Sequence, residues 1–394
     1  MSKRGDGTLA WLRERNRARV MSVIRERARP SQADIARATG LSRTTVHSLI
    51  AELKAEGLVA ELDTAPVGRM SGRPGVHLAL RDAARAAIGI DFGHSHIAVA
   101  VSDLARNLIA ERHADVDVNH QATEALEKAA CMAEDALHEA GIAHESVVGV
   151  GIGIPGPVDR ERGTARSATI LPGWVGLRIA DAMEQRLRLP IAIENDANLG
   201  ALAEMTWGAG RGCSNFAYIK AATGIGAGIV IDGRLLHGVS GTAGEIGHTT
   251  LDEAGALCYC GNRGCLETVA SGPAIIRLVA HGTPDAPTLG VVIDRAVAGD
   301  LRCRRAIADA GREIGVAVAG LCNLINPERV VVGGLLSRAG DLLLIPLRTS
   351  LERHAVQAAA EKVEVVAAEF VERSELLGAV ALALQHTAPS AVTA

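Results

Sequence analysis

No stretch of this 394-residue chain approaches the roughly 18 consecutive apolar residues that a membrane-crossing helix needs. Even the apolar stretch Val147 to Val158 is interrupted by glycines and prolines, so a helical membrane protein is excluded. The segment Met1 to Arg19 is basic and polar and lacks the apolar stretch of a secretory signal, which places the expected site of action in the cytoplasm. A disulfide framework is missing too. Of seven cysteines, Cys131, Cys213, Cys303 and Cys322 are scattered, while Cys258, Cys260 and Cys265 crowd into eight residues, a pattern that suggests metal before disulfides.

The length and a hydrophobic content of 48% are enough for two or three compact units. The modest net charge of −4 conceals an asymmetry: residues 1–80 hold 14 Lys and Arg against 8 Asp and Glu, so the remainder is strongly acidic. Clustered positive charge attracts phosphate backbones, and an acidic surface repels them. Nucleic acid, if bound, belongs on the first 80 residues.

Those residues also have the pattern of a reading unit. Ala18, Val20, Met21, Val23 and Ile24 fit one face of a helix, and Ser31 can cap a short helix that Thr39-Gly40 breaks. Ser42 caps a longer helix through Lys54 with a buried stripe of Val46, Leu49, Ile50 and Leu53. Two strand-like runs, Leu58 to Leu62 and Val76 to Leu80, flank a basic turn-rich tip. The whole reads as a winged helix-turn-helix over 1–80. Ala36, Gly40, Leu41, Val46 and Leu49 meet the packing demands of its helix crossing. Ser42, Arg43, Thr44, Thr45, His47 and Ser48 are expected to face the major groove, and Arg69 and Arg73 on the tip are expected to reach a phosphate or the minor groove.

Alanine-rich 81–87 reads as a linker, and from Ile88 to the end strands and helices alternate. Paired strands at 88–93 and 96–101, a third at 108–118 and a buried strand at 147–154 are echoed by Phe216 to Ala221, Gly226 to Ile231 and Asp232 to Leu236. Helices are expected near 124–140, 273–280, 289–298, 302–323 and 341–353. Two related α/β halves would enclose a cleft.

His248, Cys258, Cys260 and Cys265 supply one imidazole and three thiolates, a soft closed set that suits structural zinc, and Gly261 and Gly264 let the loop fold back. Asn195, Asp196, Glu245 and Glu267 are carboxylates and amides of the kind that pair with adjacent sugar hydroxyls, and the sequence places them in glycine-rich turns.

Several motifs together resemble the ROK family of repressors, open reading frames and kinases over nearly the whole chain. They are Ile88-Gly-Ile-Asp-Phe-Gly93, Gly151-Ile-Gly-Ile-Pro-Gly-Pro157, Glu194-Asn-Asp-Ala-Asn198, Ala222-Thr-Gly-Ile-Gly-Ala-Gly228, Gly244-Glu-Ile-Gly-His248 and Cys258-Tyr-Cys-Gly-Asn-Arg-Gly-Cys-Leu-Glu267. The resemblance implies a two-lobed actin-like, ribonuclease H-like fold of sugar-kinase type over 88–394, a structural metal loop at 248–265 that braces a sugar pocket, and oligomerisation. It adds His248 to the sugar contacts and gives Asp196 the part of catalytic base in a kinase.

Phosphoryl transfer requires bare backbone around the phosphates. Kinases of the family carry a second glycine and a threonine after Asp-x-Gly, where this chain has His94 and Ser95, and Ala222 and Ala227 stand where kinases often have glycine. These departures argue against MgATP at Asp91, Gly93, Thr223, Gly224, Gly333 and Gly334, and hence for a sensor over an enzyme. The expectation is a sugar-responsive repressor of carbohydrate genes that binds a sugar or phosphosugar and, as a homodimer or homotetramer, a palindromic operator. The alternative is an ATP-dependent hexose kinase that retains a DNA-binding domain. A scaffold would bind neither sugar nor selected DNA.

Overall fold

The structure, a computed structural model, describes residues 29–55, 59–62, 77–80, 86–104, 107–167, 169–280 and 287–386, with scattered positions between 16 and 27. Among them, no helix is long and apolar enough to cross a membrane. The N-terminal unit forms where the caps dictate. Ser31 and Asp34 make a reciprocal capping box on helix Gln32–Thr39, and Gly40 ends it at φ 68°, a conformation that favours glycine. Helix Arg43–Ala55 starts after Ser42, whose hydroxyl accepts the Thr45 N–H at 3.1 Å. Strands β1 (Val59–Leu62) and β2 (His77–Leu80) pair antiparallel, and Leu78 donates to the Pro30 carbonyl, so the segment before the first cap extends the wing. Val20, Ile35, Val46, Ile50, Leu53 and Leu78 fill the small core. The linker reading of 81–87 runs two residues too far, because β3 (Ala86–Phe92) already begins at a buried Ala86.

The rest is two sheets of identical plan. In the first lobe β3, β4 (His96–Asp103) and β5 (Leu108–Asp115) form an antiparallel meander, and β6 (Val147–Ile154) and β9 (Ile191–Asn195) add parallel strands on the other side of β3. Between β6 and β9 lies a small hairpin of β7 (Val158–Asp159) and β8 (Thr164–Ala165). In the second lobe β10 (Phe216–Ala221), β11 (Ile225–Ile231) and β12 (Arg234–Leu235) repeat the meander, and β13 (Arg329–Gly333) and β14 (Glu364–Ala367) repeat the parallel extension. The repeat expected from the sequence is thus a duplicated topology, and the fold is the two-lobed actin-like α/β class. Helices Ala122–Ala140 and Ile179–Leu187 cover the outer face of the first sheet, while helices Gly272–Val279, Leu289–Val297, Leu301–Ile325 and Asp341–His354 cover that of the second.

Two further helices, Asp196–Thr206 and Ser374–His386, lie between the sheets and pack closely on one another. They are apolar nearly all round, so the helical periodicity that marks a surface helix is absent. Close approach requires glycine here: a methyl group on Gly151 would strike the Ala379 carbonyl, and one on Gly378 would strike the Leu199 carbonyl. Helix Ser374–His386 also connects regions. Glu375 at its start lies in the inter-lobe cleft, and Leu384 near its end packs against the N-terminal core beside Val148 and Leu104.

Candidate functional site: an inter-lobe cleft, a thiolate cluster and a reading helix

A cavity of about 470 Å³ opens between the lobes, where β3, β9 and β10 end. Strand β9 delivers Asn195 and Asp196 to its floor. Asn195 caps the next helix by accepting the Asn198 N–H at 3.1 Å, and its amide donates to the Gly156 carbonyl at 2.9 Å. Both residues therefore stand at a helix start and not in a glycine-rich turn. Glu267 likewise opens the short helix Glu267–Ala270, whereas Glu245 sits in the turn before His248.

Asn195, Asp196, Glu245 and Glu267 all line the cavity. Burial, reinforced by the neighbouring charges of Asp196 and Glu267, pushes the Glu245 carboxyl up to about 7. Burial also raises Glu267. Near neutral pH Glu245 can both donate and accept, which suits a hydroxyl-rich ligand. The fifth expected sugar contact differs. His248 is screened from the cavity by Tyr259, whose hydroxyl lies 3.2 Å from His248 Nε2 and 3.4 Å from Glu267 Oε2.

Asp91, Gly93 and Gly334 also line the cavity, Thr223 and Gly224 lie on its Glu267 side, and Gly333 is turned away beneath Tyr218. The ring expected over the loop at His94 is not the one that packs there. His94 turns aside to Asn119 at 2.9 Å, and it is His96 that lies flush on Gly93, where any side chain would collide with it. His96 Nε2 reaches Asp91 Oδ2 at 3.3 Å, a contact that raises the imidazole above its ordinary value. Lys220, from β10, places its ammonium 2.7 Å from Asp196 Oδ2 and 3.9 Å from Glu375 Oε1. Burial opposes that charge, yet Asp196, Glu375 and Asp91 together hold the ammonium above its ordinary range. Glu375 itself is pushed up to about 7 by burial, with Lys220 pulling the other way.

Sequence reasoning missed Lys220, Glu375, His96 and Tyr259. Two of them carried a signal: Lys220 is the sole charge in an otherwise buried apolar strand, and Tyr259 is one of only two tyrosines in the chain, set between two cysteines.

The ligand atoms of His248, Cys258, Cys260 and Cys265 all lie within 4.8 Å of one another. A tetrahedral ion with bonds of about 2.3 Å to sulfur and about 2.05 Å to nitrogen has edges of about 3.8 Å between sulfurs and about 3.6 Å from sulfur to nitrogen. Here Cys260 Sγ and Cys265 Sγ are 3.7 Å apart, and Cys258 Sγ is 3.6 Å from His248 Nδ1. Burial pushes the Cys265 thiol up to about 12, whereas against its own burial the Cys260 thiol is held below its ordinary value by hydrogen bonds from the Asn262 backbone, Cys258 and Cys265, so a bound cation would draw out the thiolates that the cluster lacks. The donor set and spacing fit a four-coordinate metal ion.

On the reading helix Arg43, Thr44, His47 and Ser48 are exposed, while Ser42 and Thr45 are knit together at the cap with their hydroxyls 2.8 Å apart. Arg69 and Arg73 lie outside the described residues.

Comparison with known proteins agrees with both halves. The ROK family pattern matches residues 87–386, and the MarR family pattern matches 14–70. The chain is 31% identical over 391 residues to the xylose repressor of Caldicellulosiruptor bescii, covering 96% of this chain and 97% of that protein. The crystal structure of a ROK family transcriptional regulator, a homologue of the Escherichia coli Mlc protein, superposes with a TM-score of 0.80 at 26% identity, over 95% of this chain and 96% of that one. A ROK family glucokinase from Streptomyces griseus, in complex with glucose and AMPPNP, gives a TM-score of 0.68 at 32% identity over 76% of this chain and 99% of its own.

Proposed function

The chain belongs to the ROK family, and we propose that it is a sugar-responsive DNA-binding transcriptional regulator, a repressor of carbohydrate genes, with no kinase activity of its own. One observation carries this reading: Lys220 engages Asp196, the group that would have to accept a proton in phosphoryl transfer. To accept a proton from a sugar hydroxyl, Asp196 would have to exchange that ion pair for the substrate. In this reading His96, lying over Gly93 and against Asp91, and Lys220 take up room that a nucleotide's phosphates and their metal would need. Glu245 and Glu267 meanwhile face the cavity.

In this reading a neutral sugar binds Asn195, Asp196, Glu245 and Glu267 and draws the lobes together. Helix Ser374–His386 carries the change from Glu375 in the cleft to Leu384 under the reading unit. Such control requires that sugar binding favour one arrangement of the reading units over the other in free energy. His248, Cys258, Cys260 and Cys265 hold a structural zinc that fixes the loop bearing Tyr259 and, through Cys265, the start of the Glu267 helix. Arg43, Thr44 and His47 read the major groove, with Ser42 and Thr45 shaping the helix start, Arg69 and Arg73 adding contacts from the wing, and two chains matching a palindromic operator in the cytoplasm.

The test is selection of DNA from a random library by the full chain, followed by titration of the selected duplex in the presence of D-xylose or D-glucose. Paired half-sites and a sugar-dependent affinity are expected. Indiscriminate DNA binding that neither sugar alters would overturn the reading.

A further inference from the structure

We propose that Tyr259 is a built-in occupant of the sugar site, its hydroxyl standing where one hydroxyl of the effector will bind. The inference rests on the sugar-responsive reading above and deepens it by assigning the residue that the sugar must displace.

The argument begins with hydrogen-bond polarity. His248 turns Nδ1 toward the sulfur cluster, 3.6 Å from Cys258 Sγ, so Nε2 is the ring atom left for the cleft. With Nδ1 committed there, Nε2 presents an N–H donor, and Glu267 presents an acceptor. A group placed between them must accept from one and donate to the other. A hydroxyl does both, and the Tyr259 hydroxyl lies in that position, donating to Glu267 Oε2 at 3.4 Å and within reach of His248 Nε2 at 3.2 Å. A sugar hydroxyl has the same donor and acceptor capacity.

Three further observations indicate that the occupancy is reversible. Hydrogen bonds to oxygen are strongest near 2.7–2.9 Å, so both Tyr259 contacts are long and weak. The side chain is 46% exposed and meets the His248 ring edge-on, with centroids 5.1 Å apart, so it is not locked in a core. Space to receive the ring also exists. Tyr259 forms part of the wall between the main cavity and a second one of about 510 Å³ lined by Leu257, Thr268 and Arg277. Swinging into that space would expose His248 to the main cavity and leave the thiolate loop in place.

The test is calorimetric titration of the full chain with D-glucose and with D-xylose, using the parent, Tyr259→Phe, Tyr259→Gly and an Asn195→Ala control in the Phe background. Removing a competing weak hydrogen bond should tighten binding about three- to tenfold in Tyr259→Phe. Tyr259→Gly should tighten it at least as much, metal content should stay unchanged, and the Asn195→Ala control should abolish the gain. Equal or weaker binding in Tyr259→Phe, or a gain confined to Tyr259→Gly, would overturn the role of the hydroxyl while leaving the sugar site intact. Absence of binding in every protein, the parent included, would overturn the sugar site and this inference with it.

Discussion

The side of the cleft proposed for the sugar and the side that resembles a phosphate site are built from the same duplicated lobes, yet they have opposite chemistry. On the side proposed for the sugar, Glu245 and Glu267 are directed into a cavity, with Asn195 committed to the Gly156 carbonyl and the Asn198 N–H. On the phosphate side Asp91, Asp196 and Glu375 are already answered by His96 and Lys220. In the proposed reading, acidic groups that would face a metal-bound nucleotide in an enzyme are instead met by internal basic side chains. A kinase-like fold does not by itself imply the reaction, and in the proposed reading Lys220 on one strand makes the difference.

That contrast can be broken most forcefully at Lys220. Lys220→Met removes the cation from among three carboxylates in a largely buried site and should cost about 3 kcal/mol, because an uncompensated buried charge is left behind. A drop of several degrees in melting temperature is expected, and an unchanged value would mean that the carboxylates do not depend on the internal cation. The next effect concerns the separation of reading from sensing. Arg43→Ala should weaken binding to the selected duplex by roughly tenfold in fluorescence anisotropy, with sugar affinity unaltered. A parallel loss of sugar binding would contradict the division of labour.

The smallest effect sharpens the sugar side. Glu245 titrates near 7 in the folded protein, above the ordinary carboxylate range, so its stabilising contribution is complete below that range and is lost as pH rises toward 7. Glu375 shifts in the same direction and adds to the same slope. Glu245→Gln removes one of these costs. Its melting temperature should exceed the parent's by a few degrees at pH 8 and match it at pH 5, and equal curves at both would show that Glu245 is not confined among like charges.

What the sequence made legible was local. Cys258, Cys260 and Cys265 lie within eight residues, Ser31 and Asp34 cap one helix turn, and the strand pairs of each lobe are adjacent in the chain, so spacing alone pointed to them. What stayed hidden depends on distant segments meeting. Lys220 finds Glu375 only after the second lobe is complete, and helix Ser374–His386 lacks the amphipathic stripe of a surface helix because it is enclosed between the first sheet and helix Asp196–Thr206. His96 instead of His94 covers Gly93 because the β3–β4 turn rotates one ring onto the backbone and the other toward Asn119. Rotamers of that kind are set by packing and leave no mark on spacing.

The central claim, a sugar site without a working phosphate site, is tested most directly by following the melting temperature of the full chain with D-glucose, D-xylose or MgATP, alongside ADP release in the combined mixtures. A ligand that binds only the folded state raises the transition. The account predicts a rise with one of the sugars, none with MgATP alone, and no ADP. A rise with MgATP, together with ADP formed in proportion to the sugar, would contradict it.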